Sequence, residues 1–211
     1  MQYDFNLKAR IQGKDGECGQ LTGLVIYPEA RLVSDLIVKR GYLMAQQHVV
    51  PIATVQSALE DDVYLSIDSY ELNQYPEYRV VEFEEPVTGP EQRTMEMAGP
   101  YGLQGALEPI VPTRKRKIYE GIAPNQRVIE SGMAIENLDG RIGKVVRVVV
   151  DRQHNEISYM VAQRGLIFHE QLVVPITMVE TVSEDSIMVI GGDQMLEELP
   201  RYNEVVHHKL G

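Results

Sequence analysis

Short apolar runs alternate with brief polar breaks along the chain, and no long stretch keeps a helical period. The run Lys144-Val145-Val146-Arg147-Val148-Val149-Val150 is rich in β-branched residues, whose stiff side chains suit a strand. Gln20-Leu21-Thr22-Gly23-Leu24-Val25-Ile26 reads the same way. Asp15-Gly16 and Asp139-Gly140 stand just upstream of these runs, and glycine accepts the positive φ of a hairpin turn. Further strands are predicted over 32–39 and 157–163, over 49–52 and 173–176, and over 63–67 and 187–190. Arg40-Gly41 and Arg164-Gly165 end the first of these pairs at a turn. Pro51 and Pro175 lack a backbone donor and belong at a strand end, an edge or a bulge. A short helix should follow in each half. Asp68 and Glu71 have capping-box spacing, Asp193 after Gly192 is the second N-cap, and Pro76 and Pro200 stop the helices.

These elements recur in the same order because the chain contains an internal repeat. Displaced by 124 residues, segments 15–78 and 139–202 align without a gap, with 18 identities in 64 positions. Val49-Val50-Pro51-Ile52 falls on Val173-Val174-Pro175-Ile176, Gly19 on Gly143, and Pro76 and Tyr78 on Pro200 and Tyr202. The expected organisation is one domain over 1–80, a Pro/Gly-rich linker with some extended structure over 81–126, and a second domain with a short tail over 127–211. Five or six short strands, tight turns and one helical turn per copy describe a small, partly open β-barrel.

Composition narrows the setting. Of 211 residues, 44% are hydrophobic and 24% charged, as in ordinary globular proteins, and the net charge is −11. A chain this acidic has no general attraction for phosphate backbones or anionic lipid. Cys18 is the sole cysteine, which precludes an internal disulfide and a thiolate metal site. No apolar run is long enough for a membrane span, and Met1-Gln2-Tyr3-Asp4-Phe5-Asn6-Leu7 has no secretory character, so a cytoplasmic location is expected.

The order Asp-Gly, a β-branched strand, a strand ending in Gly, Val-Val-Pro-Ile, a short strand, and a leucine-containing segment closing on Pro76/Tyr78 or Pro200/Tyr202 resembles the PRC-barrel family. That domain forms the cytoplasmic part of the photosynthetic reaction-centre H subunit and the C-terminal part of the ribosome maturation factor RimM. The resemblance covers both copies. It implies a mainly β protein of two small PRC-barrel-like, partly open barrels, each closed by a short helix and packed as a pseudo-two-fold pair.

Reactive chemistry is sparse. Cys18 aligns with Ile142 and reads as a small half-buried hydrophobe. Of His48, His154, His169, His207 and His208, only the last pair clusters, without a third metal ligand. Glu60-Asp61-Asp62 and Glu184-Asp185 read as solvated turns, with acid–base or Ca²⁺ chemistry as the alternative. No Gly-rich phosphate loop is present. Catalytic, cofactor and metal residues are therefore expected to be absent. Candidate partner contacts are the basic run Arg114-Lys115-Arg116-Lys117, which self-pairing could equally explain, and Tyr78 and Tyr202, for which packing is the competing role.

The expected function is non-catalytic: an adaptor or scaffold with protein partners, an internal pseudo-dimer with scope for homo-oligomers, no membrane insertion and little affinity for nucleic acid. The membrane or photosynthetic assemblies of the H-subunit type are one setting for it. The alternatives are a ribosome- or RNA-associated maturation factor of RimM type, and a small-ligand binder using a groove between barrels.

Overall fold

A computed structural model describes residues 1–41, 45–59, 61–83, 116–165, 170–192, 195 and 198–202, with the backbone alone described over 80–83 and 116–120. The protein is mainly β. The first repeat supplies β1 (Gln2–Asn6), β2 (Arg10–Gly13), β3 (Gly16–Tyr27), β4 (Leu32–Arg40), β5 (Gln46–Pro51), β6 (Val55–Leu59), β7 (Asp62–Leu65) and the single helical turn α1 (Ser69–Leu72). Two further strands, β8 (Arg79–Phe83) and β9 (Arg116–Glu120), pair with each other. The second repeat supplies β10 (Arg127–Glu130), β11 (Ala134–Asn137), β12 (Gly140–Asp151), β13 (Ile157–Arg164), β14 (Glu170–Pro175), β15 (Val179–Val182) and β16 (Ser186–Val189). By contacts the chain divides into one unit of Met1–Tyr78 with Glu120–Gly211, holding both repeats, and a second of Arg79–Tyr119.

Within the larger unit lie two seven-stranded sheets. One runs β5-β4-β3-β2-β7-β6 with β10 added against β3; the other runs β14-β13-β12-β11-β16-β15 with β1 added against β12. The two repeats have therefore exchanged their first strands. Tyr3 faces Val150 and Phe5 faces Val148, while Arg127 faces Ile26 and Ile129 faces Leu24. Each partner in one set lies 124 positions from its equivalent in the other, so the exchange is reciprocal to the residue. Nothing in the local sequence pattern predicts this exchange.

Alternation explains why β1 seeks a buried neighbour. Tyr3 and Phe5 point inward while Asp4 and Asn6 stay half-buried. Phe5 and Leu7 enter a large cluster that mixes the repeats, with Ile11, Leu24 and Leu36 from one and Ile129, Ile135 and Val148 from the other. Paired backbone bonds continue the reciprocity. Leu7 N–H donates to Val146 O and Ser131 N–H to Thr22 O, both at 3.0 Å. Val33 N–H donates to Asn155 O and Ile157 N–H to Arg31 O, both at 2.9 Å. Arg31 and Asn155 each sit at φ 57°.

Many predicted elements recur in the structure with longer bounds. Gly16 and Gly140 take φ 120° and 137° at the Asp-Gly turns, and Gly41 and Gly165 take 83° and 90° at the strand ends. Pro51 and Pro175 end β5 and β14, each followed by a single 3-10 turn. Asp68 caps α1 and Glu71 returns the bond to the Asp68 amide, the reciprocal box its spacing predicts. Asp193, the second predicted cap, lies outside the described residues. β2 and β11 are the hairpin partners that the Asp-Gly turns imply, whereas β1 and β6 and their equivalents β10 and β15 are not predicted.

Candidate functional site

Cys18 is buried, its Sγ 3.6 Å from Ile11 O, and burial pushes the thiol up from its ordinary value. Its equivalent Ile142 is equally buried. His48 is buried on the inner side of β5 with Nδ1 3.0 Å from Tyr75 O, and its Nε2 has no hydrogen-bond partner among the described residues. His154 is exposed, with Nδ1 3.1 Å from Asp151 Oδ1. His169, His207, His208 and Glu60 lie outside the described residues.

Asp61 and Asp62 serve structure. Arg10 donates to Asp62 at 2.7 Å and Gln12 at 3.0 Å, which holds that carboxyl below the usual carboxylate range. Asn6 donates to Asp61 at 2.6 Å. Glu184 and Asp185 are exposed. Among the described residues no three His, Cys, Asp or Glu side chains gather as a metal site, and no helix is long and apolar enough to cross a membrane. Arg114 and Lys115 fall outside the described residues, and Arg116 and Lys117 open β9, where only the backbone is described.

Tyr78 and Tyr202 are 3% and 9% exposed. Both pack on the outer face of a sheet, yet against opposite chemistry. Tyr78 joins Val25, Ile37, Val49 and Val128 in an apolar cluster. Tyr202 rests on Val161 and Val173, while its hydroxyl donates to Asp4 Oδ2. Burial first, and then that bond, pushes the Tyr202 phenol well above its ordinary value. Arg147 completes the group. Its guanidinium lies 3.3 Å from Asp4 and 3.6 Å from Asp61, and 5.6 Å from the centre of the Tyr202 ring. Strand exchange assembles this cluster, because Asp4 enters on β1 and meets Arg147 on β12.

The equivalents of Asp4 and Arg147 are Val128 and Gly23. A Cβ on Gly23 would stand 2.8 Å from Val128 Cγ1, so glycine there makes room for valine. One sheet thus carries an ionic clasp where the other carries a dry contact.

Among the described residues, two recesses stand out on the surface of the larger unit. One of 490 Å³ is lined by Arg10, Glu17, Cys18, Lys39 and Arg40. Its guanidinium groups are committed, Arg10 to Asp62 and Arg40 to Ser69 O at 2.6 Å and Asn73 Oδ1 at 2.5 Å. The other, of 250 Å³, lies beside the clasp and is lined by Lys8, Ser131, Lys144, Arg147, Gln163 and Gln171 among others.

The repeats also differ at one end. Leu138 in the β11–β12 turn is 98% exposed, and Ile190 and Met195 are 51% and 50% exposed. They flank one junction, where Asn137 donates to Gly191 O at 3.0 Å and the Met195 sulfur lies over Gly191. The equivalent positions in the first repeat hold Lys14, Ser66 and Glu71, and Lys14 reaches Glu71 at 3.7 Å. No family model and no curated protein matches the chain.

Nothing in the sequence sets Gln171 apart, since Gln47 matches it, whereas Asp4, Lys144, Arg147, Gln163 and Leu138 lie where the copies differ. Their signal lies in disagreement: Val128 against Asp4, Gly23 against Arg147, Lys14 against Leu138.

Proposed function

We propose that this chain is a non-catalytic assembly protein of PRC-barrel type, in which two partly open barrels form a pseudo-two-fold pair and present surfaces to a protein partner in the cytoplasm. The observation that carries the reading is the junction of Leu138, Ile190 and Met195. Three large apolar side chains face solvent where the sister repeat has an ion pair and a serine. Scattered exposed apolar residues are ordinary, but a grouped set at a place the same fold can solvate marks a contact surface. The fold tolerates the polar version, so the apolar version serves something other than folding.

The test grafts the first repeat's residues onto the second: Leu138→Lys, Ile190→Ser and Met195→Glu together. The triple variant should melt like the parent and should lose the partner that the parent retains by affinity capture and chemical cross-linking. Reconstitution with that purified partner should repeat the difference. Equal retention by parent and variant would refute this surface as the docking face.

A further inference from the structure

Beyond the protein contact, we infer that the 250 Å³ recess beside the clasp binds a small oxyanion bearing carboxylate or phosphate groups. Lys144, Gln163 and Gln171 are direct cross-strand neighbours on β12, β13 and β14, a row of three donors across the sheet. Lys8 and Ser131 line the same space from the exchanged segments. Among the described residues the side chains of Lys8, Lys144, Gln163 and Gln171 make no hydrogen bond or ion pair, and none of the residues lining the recess is a carboxylate. Arg147 is already matched by Asp4 and Asp61, so the unmatched charge comes from the two lysines.

The first repeat shows the same row with its amides satisfied within the protein. There the row reads Gln20, Lys39 and Gln47. Gln47 donates to the Thr22 hydroxyl at 3.3 Å and Gln20 to Lys8 O at 3.1 Å, so both amides are satisfied within the protein. In the second repeat Val146 stands in the place of Thr22 and cannot accept, and Lys144 replaces Gln20. Each row holds one lysine and two glutamines; in the second repeat Gln171 lacks the acceptor that Gln47 has, and the ammonium stands at Lys144, on the recess that Lys8 also lines. Ammonium and amide N–H groups converging without an internal acceptor suit a ligand that brings oxygens and negative charge. The net charge of −11 opposes anion binding in general, so these local donors must hold the ligand.

Calorimetric titration of the full chain with inorganic phosphate and, separately, malonate tests this at ionic strength held constant with chloride. Saturable binding of one or both is expected, and the tighter ligand identifies the preferred group. Lys144→Gln should weaken binding about tenfold. Val146→Thr should also weaken it, by returning to Gln171 the acceptor that Gln47 has. Both variants carry the residue the sister repeat holds at that place, so each should melt close to the parent, while Lys39→Gln in the first repeat should leave binding unchanged. No saturable binding of either anion, or binding indifferent to both Lys144→Gln and Val146→Thr, overturns the proposal.

Discussion

At the scale of single residues, the two copies act as controls for each other. His48 lies where the second repeat has Leu172, and both are buried. A buried ring nitrogen without a partner costs stability that an alkyl group avoids. His48→Leu should therefore raise stability by about 1 kcal/mol in urea denaturation, even after losing the bond to Tyr75 O; a comparable loss would assign the larger weight to that bond. Gly19 and Gly143 carry the opposite message. A Cβ would lie 2.7 Å from Lys39 O at the first and 2.6 Å from Gln163 O at the second. Backbone on a neighbouring strand cannot move aside as a side chain can, so Gly143→Ala should destabilise by about 2 kcal/mol by thermal melting. The carboxylates fix the response to acid. Asp15 is lowered first by the Ser69 hydroxyl, and Asp62 first by Arg10 and then by Gln12. A carboxyl lowered in the folded state contributes stability above its unfolded value of about 4, and that contribution fades as pH falls through the folded value. Asp62→Asn should flatten the acid limb of a stability–pH curve below about pH 4. An unchanged limb would show that Arg10 adds nothing there.

At the scale of elements, sequence pattern and tertiary choice separate cleanly. Strands such as β3 and β12 were legible because β-branched runs, Asp-Gly turns and the repeat all pointed the same way. The shorter strands carried too few residues for a period to show, and β6 and β15 follow a proline and a single 3-10 turn that blur the boundary. The neighbour of β1 was not legible at all. Alternation tells that Tyr3 and Phe5 face a core, but both β3 and β12 offer such a core, and nothing local to the strand distinguishes them. The charged pair does distinguish them: Asp4 on β1 meets Arg147 on β12, whereas β3 offers Gly23 at that position. Asp4→Val alone should cost about 2 kcal/mol, since it removes the acceptor of Tyr202 and one counter-ion of a largely covered guanidinium. Combining it with Arg147→Gly copies the dry Val128–Gly23 contact, and the double variant should recover about 1 kcal/mol relative to the sum of the singles. Additive effects in that cycle would mean the clasp does not act as a unit.

At the scale of the whole molecule, strand exchange changes what holds the repeats together. Two barrels that merely touched would be joined by surface contact and by the chain between them. Here each sheet is completed by a strand from the other repeat, and Phe5, Leu7 and Ile129 sit in a core common to both. Removing one repeat strips the other of a strand's hydrogen bonds and uncovers buried side chains, so the halves should unfold together rather than in sequence. Covalent continuity between them should then be dispensable. A protease site inserted between positions 84 and 115 should allow the folded protein to be nicked without separating its halves. The nicked pair should co-elute in size exclusion and show one cooperative thermal transition, with a midpoint that now depends on concentration because the association has become bimolecular. Each half purified alone should lack a sharp transition and regain it on mixing. Halves that part under native conditions after the cut, or that each melt cooperatively alone, would show that the exchanged strands decorate two finished domains instead of completing them.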